Sequence, residues 1–324
     1  MPVNPIGSSA ARVIWVDALK GFGIILVVIG HITSNNSLVR FIYFFHMPLF
    51  FWISGYLFSL KENRILYRRI ISGMALPYIS FLILVTILDI IQHNVTGHST
   101  SLPISDPIKS FAIAIYGGSK LSAAYAVFWF MPCLAISVFM INLILHRNSA
   151  NSLRCFFIFS LLLFAGYFVG RFPLPLAINL VPTAMTIIWL GILIKPYFDK
   201  SCNYPWIILI TLTAGILGSM LFAPMNMKNG MFGTPLATLI TSICLIYSLS
   251  FILITYIPNT LLVVLSSLGK SSLVIMFLHQ VINVALGSTV EEWEKIVICV
   301  VLPYGFYMCA EQFLLTKKFF LGRT

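Results

Sequence analysis

The chain has 324 residues, of which 59% are hydrophobic and only 9% are charged, and its mean hydropathy is +0.98. This composition excludes a soluble globular protein, because apolar runs of about the 20 residues needed to cross a bilayer recur along the whole sequence. The formal net charge of +11 does not call for nucleic acid, since membrane topology and anionic lipids account for it.

Apolar segments taken in chain order predict an all-α polytopic membrane bundle of about ten transmembrane helices. We expect one integral-membrane domain over residues 1–324, because no stretch is left for a soluble domain. Two longer connections, 92–124 and 257–271, each contain a short apolar run that could lie at the membrane surface. The predicted spans are 14–33, 38–60, 71–91, 125–145, 155–170, 176–194, 206–223, 234–256, 272–288 and 295–316.

The distribution of Lys and Arg predicts that both termini lie in the cytoplasm. With this orientation, thirteen basic residues fall in cytoplasmic segments and six in outside segments, which is the bias of the positive-inside rule. The outside residues are Arg40, Lys109, Lys120, Arg171, Lys228 and Lys295, and the cytoplasmic ones are Arg12, Lys61, Arg64, Arg68, Arg69, Arg147, Arg154, Lys195, Lys200, Lys270, Lys317, Lys318 and Arg323.

The first predicted span, WVDALKGFGIILVVIGHIT, carries three ionisable residues. Lys20 and His31 are eleven residues apart, about 20° past three full helical turns, and Asp17 precedes Lys20 by three. All three therefore share one stripe, which runs about 16 Å from Lys20 to His31. Ionisable groups in a bilayer are costly, so this stripe favours a functional site, with His31 as a proton acceptor and Lys20 as an anion-binding cation. A histidine satisfied by a neighbouring polar group and a snorkelling lysine are the structural alternatives.

The second predicted span, FIYFFHMPLFFWISGYLF, contains His46 and Ser54 beside helix-weakening residues. Pro48 and Gly55 free backbone groups, which a bilayer tolerates only beside protein or a cavity. We therefore predict that His46 and Ser54 bind substrate, while Gly55 could serve close helix packing alone. The basic loop that follows could bind a polyphosphate or act as stop-transfer charge. Its members are Lys61, Arg64, Arg68 and Arg69.

Two more side chains in apolar segments are candidates for substrate binding. Trp129 lies in VFWFMP and His279 in LGKSSLVIMFLHQ, and the alternatives are an interfacial aromatic residue and a structural histidine. The six cysteines lie mostly in apolar spans and form no C-x-x-C pair, so we read them as small core residues. We predict no metal site.

Five of these segments, in this order, resemble the integral-membrane acyltransferase family known as acyltransferase type 3. They are VDALKG followed by GH, then FHMPLFFWISGYLF, the basic YRRI before LPY, WFMP, and LGKSSLVIMFLH. The resemblance covers about residues 13–280 and is closest to the fucose 4-O-acetylase-like and O-antigen acetyltransferase group. The family's hallmark is an Arg, ten intervening residues and a His in the first span. Lys20 stands here at the Arg position, which keeps the charge but loses the planar guanidinium fork.

The resemblance implies an O-acetyltransferase of the bacterial inner membrane. It would move an acetyl group from cytoplasmic acetyl-CoA to a sugar hydroxyl of a lipid-linked or cell-surface polysaccharide such as O-antigen. His31 would be the general base or a transient acyl carrier, with Lys20 and Asp17 in the same catalytic stripe. The residues expected to hold acetyl-CoA are Lys20, Arg68, Arg69 and Lys270.

A proton-coupled transporter or glycan flippase is the alternative function, in which Asp17, Lys20 and His31 relay protons. Such transporters usually carry repeated halves with paired broken helices. The second half of this sequence shows no counterpart of the segment 17–31, which favours the acetyltransferase.

Overall fold

The computed structural model describes residues 14–97, 102–103, 106–201 and 205–323. Arg12 and Cys202, which entered the arguments above, lie outside these described residues. Fifteen α-helices form the described part: α1 Ile14–Ile32, α2 Asn36–Ile42, α3 His46–Tyr56, α4 Asn63–Ile70, α5 Leu76–Thr96, α6 Pro107–Tyr116, α7 Phe130–Leu145, α8 Leu153–Val169, α9 Val181–Ser201, α10 Pro205–Leu221, α11 Ala237–Thr255, α12 Asn259–Lys270, α13 Ser272–Leu286, α14 Glu292–Ala310 and α15 Leu314–Leu321.

The predicted all-α polytopic membrane bundle is confirmed. Seven helical stretches of the described chain are long and apolar enough to cross a bilayer, and the pair α12 and α13, bent by 70°, makes an eighth if it is one span. The apolar helices α8 and α10 are shorter. The expected number of about ten spans, and the cytoplasmic position of the termini, stay predictions. The seven stretches are Ile14–Ile32, Asn36–Tyr56, Asn63–Val95, Ala123–Leu145, Pro175–Phe198, Ala237–Thr255 and Glu292–Ala310.

The second span is broken between α2 and α3, as its helix-weakening residues predict. At the break, buried polar side chains bond to two backbone carbonyl groups, and that of Ile42 also accepts from the Phe45 amide at 3.1 Å. The Nδ1 atom of His46 donates to the Ile42 carbonyl oxygen at 2.9 Å, and the Ser242 hydroxyl on α11 donates to the Phe44 carbonyl oxygen. The non-helical backbone at this depth is therefore enclosed by protein.

Glycines allow α1 and α12 to pack with their backbones in contact. A Cβ atom on Gly21 would lie 1.9 Å from the Leu265 carbonyl oxygen, and one on Gly269 would lie 1.7 Å from the Asp17 carbonyl oxygen. Helices in lipid associate through such close packing of small residues. The segment 257–271, expected as a connection at the membrane surface, is therefore a helix packed along the first span.

A second close contact joins α3 to α9. A Cβ atom on Gly55 would lie 1.9 Å from the Ile188 carbonyl oxygen and 3.1 Å from the Cα atom of Gly191. This contact leaves no room for a side chain, so the packing alternative accounts for Gly55. It also fixes the position of α3 along α9.

The contacts define two ends of the bundle. At one end, the Trp15 ring lies 5.0 Å from the Tyr56 ring, and the Lys195 ammonium lies 5.5 Å above Tyr56. Lys61 follows shortly after α3 and is bonded through its backbone to Asn142 near the end of α7. Several basic residues that the positive-inside rule assigns to the cytoplasm therefore share this end, which we call the basic end.

The opposite end contains the last turn of α1 and the loops that follow it. The Ser34 amide donates to the Glu292 carboxylate at 2.9 Å, which ties the end of α1 to the start of α14. Arg40 donates to the Phe222 carbonyl oxygen at 2.6 Å, so α2 is held against the end of α10. We call this the cavity end, because the main cavity of the described chain opens here.

Candidate active site

The polar stripe on α1 divides into two separate sites. Near the basic end, the Lys20 ammonium lies 3.3 Å from the Asp17 carboxylate, as the i, i+3 spacing predicts. The Asp17 side chain is buried, whereas that of Lys20 is 22% exposed. His31 is three turns away, about 16 Å along the helix axis, so direct contact with this ion pair is excluded.

At the cavity end, His31 is in contact with two side chains of α13. Its Nδ1 atom lies 3.3 Å from the Nε2 atom of His279 and also contacts the side-chain amide nitrogen of Gln280. The two imidazole centroids are 5.2 Å apart. The helices α1 and α13 pack side by side, so a residue at the end of the first span meets consecutive residues from the far end of the sequence.

The hydrogen bonds around His279 favour one tautomer of His31. The Nδ1 atom of His279 donates to the Ile275 carbonyl oxygen at 2.9 Å, because a carbonyl can only accept. In the neutral ring, Nε2 of His279 is then an acceptor, and it faces Nδ1 of His31. A hydrogen bond between the rings therefore requires the proton on Nδ1 of His31.

The Gln280 amide is compatible with this tautomer. Its carbonyl oxygen can accept from Nδ1–H once the amide is turned, and Asn283, which bonds the other end of the amide, can reverse in step. The opposite tautomer would leave lone pairs of His31 and His279 facing each other. We therefore assign the proton of His31 to Nδ1 and its basic lone pair to Nε2, which has no hydrogen-bond partner among the described residues.

His31 lines a cavity of about 340 Å³ at the cavity end. A volume of this size lies at the lower end of the range for small-molecule sites. Its walls come from α1, the broken second span, the start of α7, α13 and the loop between α10 and α11. The lining side chains with polar or aromatic character include His31, Tyr43, His46, Trp129, Lys228 and Gln280.

The predicted substrate-binding residues have different positions. His46 and Trp129 line the cavity, and the His46 ring lies 4.8 Å from that of Tyr43. Ser54 does not line it, and its hydroxyl donates to the Phe50 carbonyl oxygen one turn back. His279 is fully buried behind His31 and also stays out of the lining. Substrate binding by these residues stays a prediction, and for Ser54 and His279 the geometry favours structural or positioning roles.

The residues predicted to hold acetyl-CoA lie apart from this cavity. Arg68 and Arg69 are exposed in the last turn of α4, which follows the loop at the basic end. Lys270 is exposed next to Gly269, whose backbone touches Asp17 in the turn that precedes Lys20. Lys270 and the Asp17–Lys20 pair are therefore neighbours, and the whole set lies toward the end opposite His31.

Gln280 and Lys228 are among the lining residues that were not identified from the sequence. Gln280 directly follows His279, but its contact with His31 depends on the packing of α1 against α13. Lys228 was counted as an outside cation only. The turn residues around it indicate a loop, and nothing in the local sequence indicates that this loop covers the end of α1.

The sequence of the chain matches one known protein family. A family model described as "Acyltransferase domain" matches residues 13–310. No curated protein and no solved structure shows a significant match to the chain. The family match includes the first span with Lys20 and His31, and it extends through α13 and α14. The chain therefore belongs to the acyltransferase type 3 family of integral-membrane acyltransferases.

Proposed function

We propose that this membrane acyltransferase is an acetyl-CoA-dependent O-acetyltransferase of a bacterial inner membrane. Its acceptor is a sugar hydroxyl of a lipid-linked or cell-surface polysaccharide such as O-antigen. The observation that carries the proposal is His31 itself, which lines a cavity while its Nδ1 atom is held by His279 and Gln280. A histidine held in this way presents Nε2 as a base.

The chemistry uses His31 as the general base. Nε2 accepts the proton of the sugar hydroxyl as the hydroxyl oxygen attacks the thioester carbonyl carbon of acetyl-CoA. The tetrahedral intermediate collapses by breaking the C–S bond, and the thiolate takes the proton back from the imidazolium to give CoA and the acetyl ester. In the variant with a transient acyl carrier, Nε2 attacks the thioester first, and the sugar hydroxyl then attacks the acetyl-imidazole.

His279 acts as a positioning residue in this scheme. Its neutral Nε2 accepts from Nδ1–H of His31 and so keeps the other nitrogen unprotonated and basic. As the proton moves onto Nε2 of His31, the positive charge that develops on the ring strengthens the hydrogen bond from Nδ1–H. In catalytic triads a third residue holds the catalytic histidine in the correct tautomer and orientation, and His279 has that position here.

The basic end supplies the binding site for the donor. Lys20, Lys270 and the arginines at the end of α4 are the cations that we assign to the phosphates of acetyl-CoA. Asp17 holds the Lys20 ammonium at 3.3 Å and so fixes its position. The acetyl end of the donor must then extend about 16 Å toward His31, a distance set by eleven residues of helix.

The test is acetyl transfer by the full chain in cells that lack any other copy of the activity. Wild-type protein should add ester-bound acetate to the cell-surface glycan, measured by mass spectrometry of the isolated glycan. His31→Ala should abolish the acetate while the protein still inserts into the membrane. His93→Ala is the matched control, because His93 is exposed near the end of α5 and does not line the cavity. Full acetylation by His31→Ala would contradict the proposal.

A further inference from the structure

The cavity beside His31 contains an unmatched positive charge. Lys228 lines it, and among the lining residues that the structure describes, no Asp or Glu side chain is present. Lys228 also makes no salt bridge with any described residue. A half-buried cation without an anion keeps only part of its hydration. A bound anion would replace the electrostatic stabilisation that the lost water provided.

The loop presents Lys228 from a defined turn. Lys228 lies in the 3-10 turn Met227–Asn229, and the backbones of Asn226 and Met231 close this turn through two hydrogen bonds of 2.7 and 3.0 Å. Gly230 takes a left-handed conformation with φ of +66°, which a residue with a side chain rarely adopts. Met225 and Met227, which both precede Lys228, are buried and anchor the loop over the cavity.

Burial has a measurable electrostatic consequence for this lysine. The pKa of Lys228 is lowered from the ordinary lysine value, because the charged ammonium loses hydration in the loop. The fixed turn, the lack of a carboxylate among the described lining residues and the lowered pKa are together typical of a lysine in an anion-binding site.

We propose that Lys228 binds an anionic group of the acceptor, so that the substrate of this site is a saccharide with a carboxylate or phosphate close to the acetylated hydroxyl. This inference rests on the proposed function, which makes the cavity the acceptor site. Aromatic side chains of Tyr43, Phe50 and Trp129 line the same cavity and suit the apolar faces of a sugar ring. Lys228 then fixes the direction in which the sugar enters, since a point charge attracts one end of the molecule.

The experiment measures binding in the absence of acetyl-CoA. Full-length protein in nanodiscs of neutral lipid is titrated calorimetrically with three probes: methyl β-glucuronide, glucose 1-phosphate and the uncharged methyl β-glucoside. We expect at least one anionic probe to bind the wild-type protein about tenfold more tightly than the neutral probe, as one charge-assisted contact allows. The anionic probe that binds more tightly then identifies the recognised group as a carboxylate or a phosphate.

Variants of the lysine test its part directly. Lys228→Met should reduce the preference for the anionic probe to about onefold, whereas Lys228→Arg should keep it because the charge remains. Lys120→Met is the matched control, since Lys120 is exposed and does not line the cavity. In wild-type protein, 0.5 M salt should also weaken the anionic preference, a result that does not depend on any variant being folded. Equal binding of charged and uncharged probes by the wild type would overturn the inference, and so would an unchanged preference in Lys228→Met.

Failure of the anion-binding proposal can be distinguished from failure of the proposed acetyltransferase function. His31→Ala should lose acetyl transfer but retain the preference for anionic probes, because Lys228 is unaltered. A protein that shows the anionic preference but transfers no acetyl group would refute the acetyltransferase and leave the binding site in place. A protein that transfers acetyl groups without any anionic preference would refute the binding site alone.

Discussion

Replacing His279 by Phe tests the proposed orientation of His31. Phe keeps an aromatic ring at this fully buried position, although a larger one than imidazole, and it removes the acceptor 3.3 Å from Nδ1 of His31. His31 then loses one of the two contacts that hold its proton on Nδ1, and the population with a basic Nε2 falls. The catalytic nitrogen itself is unaltered, so the loss should be partial.

The size of the effect follows from one hydrogen bond. A typical intramolecular hydrogen bond contributes about 0.5–1.5 kcal/mol, which corresponds to a loss in kcat of about 2- to 12-fold. Because the Gln280 amide still contacts Nδ1, the double variant with Gln280→Met should lose more than either single variant. The KM for acetyl-CoA should stay unchanged, since the donor is assigned to the basic end.

The assay measures CoA released from acetyl-CoA by full-length protein in nanodiscs, with a glycan fraction from the host membrane as acceptor. His279→Gln is the conservative variant, because its side-chain amide offers a carbonyl acceptor at a reach similar to that of Nε2, and it should recover most of the rate. An unchanged kcat in His279→Phe would refute the positioning role. A loss as complete as that of His31→Ala would refute it too, since it would make His279 part of the chemistry.

Variants at three further residues, Lys20, Gly269 and Ser242, test the donor site and the helix contacts. Lys20→Arg should keep acetyl transfer, because the charge is retained, whereas Lys20→Ala should raise the KM for acetyl-CoA about tenfold through loss of a charge-assisted contact. Gly269→Ala should lower the free energy of unfolding by about 1–3 kcal/mol, since its Cβ would lie 1.7 Å from a backbone oxygen of α1. Its control, Gly305→Ala, meets nothing within 4 Å and should be neutral or stabilising. Ser242→Ala should cost about 1–3 kcal/mol by leaving a buried carbonyl unsatisfied, whereas Ser250→Ala, whose hydroxyl bonds within its own helix, should cost less.

A specific measurement can contradict each of these three predictions. A KM for acetyl-CoA that is the same in Lys20→Ala and wild type would remove Lys20 from the donor site. Thermal unfolding in detergent compares the stability variants with their controls. Equal midpoints for Gly269→Ala and Gly305→Ala would contradict the close contact of α1 with α12. Equal midpoints for Ser242→Ala and Ser250→Ala would contradict the special role of the serine at the broken span.

Periodicity and composition were sufficient for the fold class and for the first-span residues. Apolar segments must be helical in lipid, because every backbone group needs an internal partner there. The spacing of Asp17 and Lys20 predicted their contact for the same reason, since residues three apart on a helix are neighbours. The weakening of the second span near Pro48, where the helix is broken just before α3, and the close packing of Gly55 were also predicted from residue type.

The pairing of distant segments could not be read in this way. The contact of His31 with His279 and Gln280 joins residues 248 and 249 positions apart in the sequence. The segment 257–271 was expected at the membrane surface because its apolar run is short, but the glycine contact with α1 makes it part of the bundle. Apolar periodicity indicates which face of a helix is buried. It does not indicate which other helix packs against that face.

The sequence by itself therefore determined that the chain crosses a membrane as helices, and that His31 and the Asp17–Lys20 pair share one stripe. Both conclusions depend on local geometry, which a helix fixes residue by residue. Only the tertiary structure decided that a cavity opens at the His31 end of the stripe, that His279 lies behind His31, and that Lys228 lines the same cavity. These depend on which helices and loops pack together, and that choice is made by shape and hydrogen bonding across the whole bundle.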